Sequence, residues 1–193
     1  MLNFKIYLDS QILKDRELIR QILLDKNGWA SKYDISFTKE KKDANVIIYF
    51  SKNEKIKQKF GNRFTGFSVC SRGQHPHEIY INQDRWDKTP HNFKIHRSQI
   101  LGGNKKKTEQ LYYRQYVLQH ELGHSIDLAN HDLYDKKTNK HFCPVMFQQT
   151  RGNIVNNKAL FVPNPWIVLQ NKKYDQKNLH TFLKTQKSYI KYL

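Results

Sequence analysis

Two histidines four residues apart, His120 and His124, enclose Glu121, Leu122 and Gly123. On a helix each residue turns by roughly 100°, so the two imidazoles share a face and Glu121 flanks them. Imidazoles one turn apart can grip one zinc ion, and a carboxylate beside them can take a proton from water held there. A catalytic zinc centre needs three protein ligands and an open position. The third ligand must come from beyond this helix. His131 is the first candidate, because Asn130 before it tolerates the left-handed backbone that a turn beneath the helix requires. Asp132, Asp127 and His141 are the alternatives. Asp127 lies about 10 Å along the helix from His120, a spacing better suited to a supporting role or a helix terminus than to the same ion. The residues thus assign Glu121 as general base and His120, His124 and His131 as metal ligands, with the third position open among the four.

The positioning element is a long helix from about Thr108 to the neighbourhood of Asn130. Leu111, Leu118, Leu122 and Ile126 fall opposite the histidines, so the pattern predicts an apolar back against a core and two imidazoles towards a cleft. Upstream, Leu2, Phe4, Ile6 and Leu8 alternate as a half-buried strand. A helix is expected from Ser10 to about Lys26, capped by Asp9-Ser10, with Ile12, Leu18, Ile19, Ile22 and Leu23 as its stripe. Asn27-Gly28 is expected to close it with glycine at positive φ. Tyr33 to Thr38 reads as a second strand, and Val46 to Phe50 as a central strand covered on both faces. After a basic segment with one helical turn, Phe67 to Cys70 and Glu78 to Ile81 read as two short strands. The loop between them carries His75 and His77 and reads as a polar turn. Residues 89–107 read as irregular, with His91 and His96 at the surface. Phe142-Cys143-Pro144-Val145-Met146-Phe147 is a tight turn. Lys173 to Leu193 is helical, with Leu179, Phe182, Leu183, Ile190 and Leu193 as its packing face. The order strand, helix, strand, strand marks an α/β (α+β) fold in one domain. Residues 1–130 would carry the sheet and the active-site helix, and 131–193 the turn and the C-terminal helix.

The 193 residues can bury a sizeable core, and their net charge is +17. Such charge suits an acidic partner, yet lysine far outnumbers arginine, the better base reader and phosphate fork. The lysines are scattered, and the bias towards Asn, Ile and Tyr follows an AT-rich genome of a large DNA virus or a low-GC microbe. A weak, non-specific contact with nucleic acid through the lysine surface is therefore the most that charge supports. Cys70 and Cys143 exclude a disulfide-dense scaffold; one bridge, burial or a place near the metal all stay open. Met1 to Leu8 lacks the pattern of a secretory signal, and no stretch approaches a membrane span. An intracellular or virion-associated protein is expected.

His120-Glu121-Leu122-Gly123-His124, a histidine a few residues on, and Cys143-Pro144-Val145-Met146 together resemble a metzincin zinc protease with its Met-turn. The likeness is closer to a group of uncharacterised bacterial metzincin-like domains. It rests also on Tyr113-Arg114-Gln115-Tyr116-Val117 leading into the motif and on Pro144-Val145-Met146-Phe147-Gln148-Gln149-Thr150. Asn27-Gly28-Trp29, Ser68-Val69-Cys70 and Ile81 to Trp86 are weaker matches. The resemblance spans about Leu2 to Gly152. It implies a twisted mixed sheet above the active-site helix, Met146 as a hydrophobic floor that does not bind zinc, a C-terminal helix, and zinc-dependent hydrolysis of peptide or protein substrates. The metzincin pattern has glycine three residues, and its third ligand six residues, after the second histidine; here those places hold Asp127 and Asn130, and His131 comes one residue later. Phe147-Gln148 offers no tyrosine for an oxyanion. An inactive metal-binding or structural protein, or a basic nucleic-acid-associated virion protein, is the alternative function.

Overall fold

The computed structural model describes residues 3–12, 14–61, 69–70, 76–126, 141–147, 154–155, 158–159 and 162–193, with backbone alone at 69–70, 154–155 and 158–159. Strand β1 (Asn3–Leu8) leads to helix α1 (Arg16–Leu24), then β2 (Asp34–Phe37), β3 (Val46–Ser51), α2 (Asn53–Phe60), β4 (Val69–Cys70), β5 (His77–Asn82) and α3 (Gln83–Asp87). Helix α4 (Lys105–Ile126) follows, and α5 (Gln176–Gln186) closes the order, after a small antiparallel pair of β6 (Ile154–Val155) and β7 (Lys158–Ala159). The main sheet runs β2-β1-β3-β5-β4. Its first four strands are parallel and β4 is antiparallel, so the fold is mixed α/β, as the element order predicts.

Side-chain parity gives the sheet two faces. Ile6, Leu8, Val46, Ile48, Phe50, Ile79 and Ile81 join one core with Leu18, Ile19, Ile22 and Leu23 of α1 and the apolar side chains of α4. Full burial of each such side chain contributes about 1.5–3 kcal/mol. Ile47, Tyr49, Glu78 and Tyr80 have the opposite parity, and α2 lies there with Phe60 edge-on to Tyr80. β3 is central and buried, as expected for a continuous apolar run. No helix among the described residues is long and apolar enough to cross a membrane.

Several elements differ from the sequence pattern for definite reasons. α1 begins at Arg16 rather than Ser10. The Asp9 carboxylate accepts from Gln11 N inside a local turn, and the Asp15 carboxylate accepts from Trp86 Nε1 at 2.8 Å instead of capping the helix. Gly28 has φ −96°, not a positive value. A Cβ there would overlap the amide of Gln119, so close approach and not backbone handedness requires glycine. α2 is a full helix over residues read as loop with a single turn. α4 starts at Lys105, three residues before Thr108, where the helix was expected to begin; its lysine run sits unfavourably at the positive end of the helix dipole, and Asn104 Oδ1 accepting from Lys107 N offsets this. α5 ends at Gln186 and continues as a 3-10 turn over Lys187–Tyr192. Tighter winding shifts the helical phase, so Tyr189 is buried and Ile190, expected in the packing face, is 50% exposed. His77 is on β5 and buried, whereas His91 and His96 are exposed as read.

Candidate functional site

α4 was expected to present one apolar side; it is instead buried on nearly every side from Leu111 to Ile126. α1, α3, β4 and β5 pack against it, and α5 adds Phe182 edge-on to Tyr112 and Gln186 Oε1 accepting from Gln115 Nε2 at 2.9 Å. The motif therefore sits in the interior: His120 is 5% exposed, Glu121 6% and His124 6%. The rings of His120 and His124 lie 4.8 Å apart between centroids and are perpendicular. The predicted pair is thus brought together by the helix itself.

The orientation of His120 comes from outside the helix. Its Nδ1 lies 2.8 Å from Val145 O. A carbonyl only accepts, so Nδ1 carries the hydrogen and the ring's lone pair lies on Nε2. Imidazoles that bind metals are commonly held by such a bond from their other nitrogen. Val145 belongs to the predicted tight turn, where Phe147 N donates to Pro144 O at 3.2 Å. That turn is braced from several sides. Tyr116 Oη donates to Phe147 O at 3.0 Å, Cys143 N donates to Val162 O at 2.9 Å, and the fully buried Asn164 donates from Nδ2 to Cys143 O at 3.0 Å. Cys143 and Met146 are buried, and Met146 Sδ faces Gly123 between the two histidines. Met146 therefore lies against the motif helix.

Burial pushes the Glu121 carboxyl well above the ordinary carboxylate range. Burial also raises the Tyr113 hydroxyl above its ordinary value, opposed by the Arg85 charge and aided by Glu121. The two buried imidazoles, with the lone pair of the His120 ring on Nε2, fit two of the three protein ligands of a zinc ion. Asp127, His131 and Asp132 lie outside the described residues. His141 does not join the pair: no three His, Cys, Asp or Glu side chains among the described residues gather where they could hold an ion, and the His141 backbone pairs with that of Lys173.

Trp29, Gln119 and the Val145 carbonyl were not anticipated as parts of the site. Gln119 is fully buried; its Oε1 accepts from Trp29 N at 3.1 Å and its Nε2 donates to Ile22 O at 2.7 Å. A signal for it exists: Gln115 falls within the stripe of Leu111, Leu118, Leu122 and Ile126 and Gln119 borders it, and a polar side chain in or beside an apolar stripe implies a buried hydrogen bond. No comparable signal marks a backbone carbonyl.

The class defined so far is a mixed α/β domain whose interior helix carries a His-Glu-Leu-Gly-His motif over a braced turn. The chain belongs to the family described as "Protein of unknown function (DUF3152)", whose model matches residues 14–182. No curated protein matches the chain.

Proposed function

We propose that the protein is a zinc-dependent metallopeptidase, with His120 and His124 as two ligands, Glu121 as general base and the third ligand within residues 127–132. His131 is the first assignment, before Asp132 and Asp127. The observation that carries the reading is the paired, buried imidazoles with the ring of His120 held through Nδ1 by Val145 O, on a helix where Glu121, the next residue, is buried too. The resemblance of the motif and the 142–147 turn to metzincins supports the same class.

Bound between these side chains, zinc would acidify a water and polarise a peptide carbonyl. The chain's own groups do the rest. Glu121, adjacent in sequence to His120, takes the water's proton and passes it to the leaving amine. Its burial, which raises the carboxyl above its ordinary range, favours holding the proton between the two transfers. Val145 O keeps His120 in one tautomer throughout. The turn carrying Met146 closes the inner side of the histidine pair to water.

Zinc content per chain, measured for the parent and for His131→Ala, tests the ligand set. About one zinc in the parent, lost in the variant, is expected. Zinc retained in the variant moves the third ligand to Asp132 or Asp127. A parent without zinc after chelator-free purification overturns the reading.

A further inference from the structure

Tyr116 stands one helical turn before His120 on α4, so the two side chains are neighbours on its surface. Both reach the same turn. His120 Nδ1 donates to Val145 O at 2.8 Å, and Tyr116 Oη donates to Phe147 O at 3.0 Å. Their rings also meet, 5.2 Å apart between centroids and tilted by 45°. Phe93, from the segment read as irregular, stacks on the Tyr116 ring at 5.9 Å and stands edge-on to Tyr113 at 5.5 Å. The turn has further anchors, and these run to residues 162–172. Phe142 N donates to Lys172 O, Cys143 N to Val162 O and Val145 N to Gln170 Oε1. The bond from Phe147 N to Pro144 O closes the turn around Val145, so a displacement of the Phe147 carbonyl carries Val145 O with it.

The geometry points to Tyr116 as a positioning residue for His120: its hydroxyl ties the Phe147 end of the turn to α4, and this keeps Val145 O within reach of His120 Nδ1. One bond between a helix and a turn lets the turn pivot about it. Two bonds, from side chains one helical turn apart to carbonyls two residues apart, fix its orientation. Without the hydroxyl the Phe147 carbonyl loses this donor, the turn pivots, and the Nδ1 bond opens more often. The imidazole then samples its other tautomer, whose lone pair is on Nδ1 and no longer on Nε2. The consequence for zinc rests on the metallopeptidase reading; the consequence for the His120 hydrogen does not. Tyr112, one turn earlier on α4, supplies a matched control. It is buried like Tyr116, and its Oη donates to Gln99 O at 2.8 Å, a carbonyl outside the turn.

The test is 15N NMR of histidine-labelled, metal-free protein, following the tautomer of His120 and the exchange of its Nδ1 hydrogen, beside zinc affinity by chelator competition. Tyr116→Phe and Tyr112→Phe are compared with the parent. Each removes one oxygen and keeps the ring with its aromatic contacts, and each is expected to lower the thermal midpoint by about 2–8 °C. Tyr116→Phe is expected to speed the Nδ1 exchange, mix the tautomers and weaken zinc about 10-fold, the lower end of what loss of an outer bond costs a metal site. Tyr112→Phe is expected to leave the His120 hydrogen, its tautomer and zinc affinity as in the parent. A parental tautomer and exchange rate in Tyr116→Phe overturns the proposal. So does Tyr112→Phe moving the His120 hydrogen as far as Tyr116→Phe does, since lost stability would then explain both. A parent that binds no zinc refutes the metallopeptidase reading, while the His120 hydrogen still decides this one.

Discussion

Glu78 and Glu121 are two inward-turned carboxylates treated in opposite ways. Glu78, on the α2 face of the sheet, is surrounded by donors of the chain's own making. Tyr80 Oη donates to its Oε2 at 2.6 Å, Tyr49 Oη to its Oε1 at 3.2 Å, and Lys59 Nζ approaches Oε2 to 3.3 Å while also bonding the Tyr80 hydroxyl. The two tyrosine rings stack at 4.9 Å, and Lys41 and Lys59 lie over them. Partial burial alone would raise the Glu78 carboxyl, but the bonds from Tyr80 and Lys59 outweigh it and hold the carboxyl below its ordinary value. Glu121, on the other side, is more deeply buried and moves the other way. No lysine or arginine among the described residues pairs with it, in a chain with a net charge of +17. A carboxylate compensated from within is a strut. One that is buried with no lysine or arginine paired to it among the described residues is suited to exchange a proton or to answer an external cation.

The strongest way to break this comparison is Glu121→Gln. Loss of a positioned general base is expected to cost about 10²–10⁴-fold in peptide hydrolysis, with zinc content unchanged, as read by turnover on a peptide library beside metal analysis. Activity surviving in that variant would remove Glu121 from the role. His124→Ala should abolish zinc binding. In the parent, chelation should lower the thermal midpoint, since a ligand at a hundred times its Kd adds about 2.7 kcal/mol to stability; calorimetry with and without chelator measures this. Gln119→Leu leaves the Trp29 N–H without its partner and removes one of two donors from the Ile22 carbonyl, which keeps Asp25 N, at a cost of about 1–3 kcal/mol, roughly 2–12 °C in a chain this long. A loss under 1 °C would show that the Gln119 bonds hold nothing in place.

Glu78→Gln should have the smallest effect, about 1 kcal/mol at neutral pH. Its sign with pH is the sharper test. Because the folded-state value is lowered, the contribution of Glu78 is fully present above the ordinary glutamate value and disappears as pH falls through the lowered one. Denaturation of parent and variant from neutral pH to about pH 3 should therefore show their difference shrinking on acidification. A difference that grows there would mean that the tyrosines and Lys59 do not compensate Glu78.

Much of this was legible in the residues. The alternation of Phe4, Ile6 and Leu8, the continuous run from Val46, and the stripe of Leu18, Ile19, Ile22 and Leu23 marked elements that exist, because burial periodicity is a local property. The spacing of His120 and His124 put their rings together for the same reason. Element ends were less legible. The start of α1 depended on where Asp15 found its partners, 71 and 99 residues away in Trp86 and Arg114. The phase of the C-terminal segment depended on a 3-10 turn that no propensity marks.

The sequence alone determined which side chains can do chemistry and that one helix aligns two of them, since helical geometry follows from local spacing. Only the tertiary structure decided that this helix is interior, that Glu121 is dry, and that a carbonyl from a turn 25 residues later selects the tautomer of His120. Burial and hydrogen-bond partners are properties of surfaces brought together from distant parts of the chain. That is why Gly28 and Gly123 look like ordinary glycines in sequence and are, in the folded protein, places where a Cβ would overlap a side chain from another element.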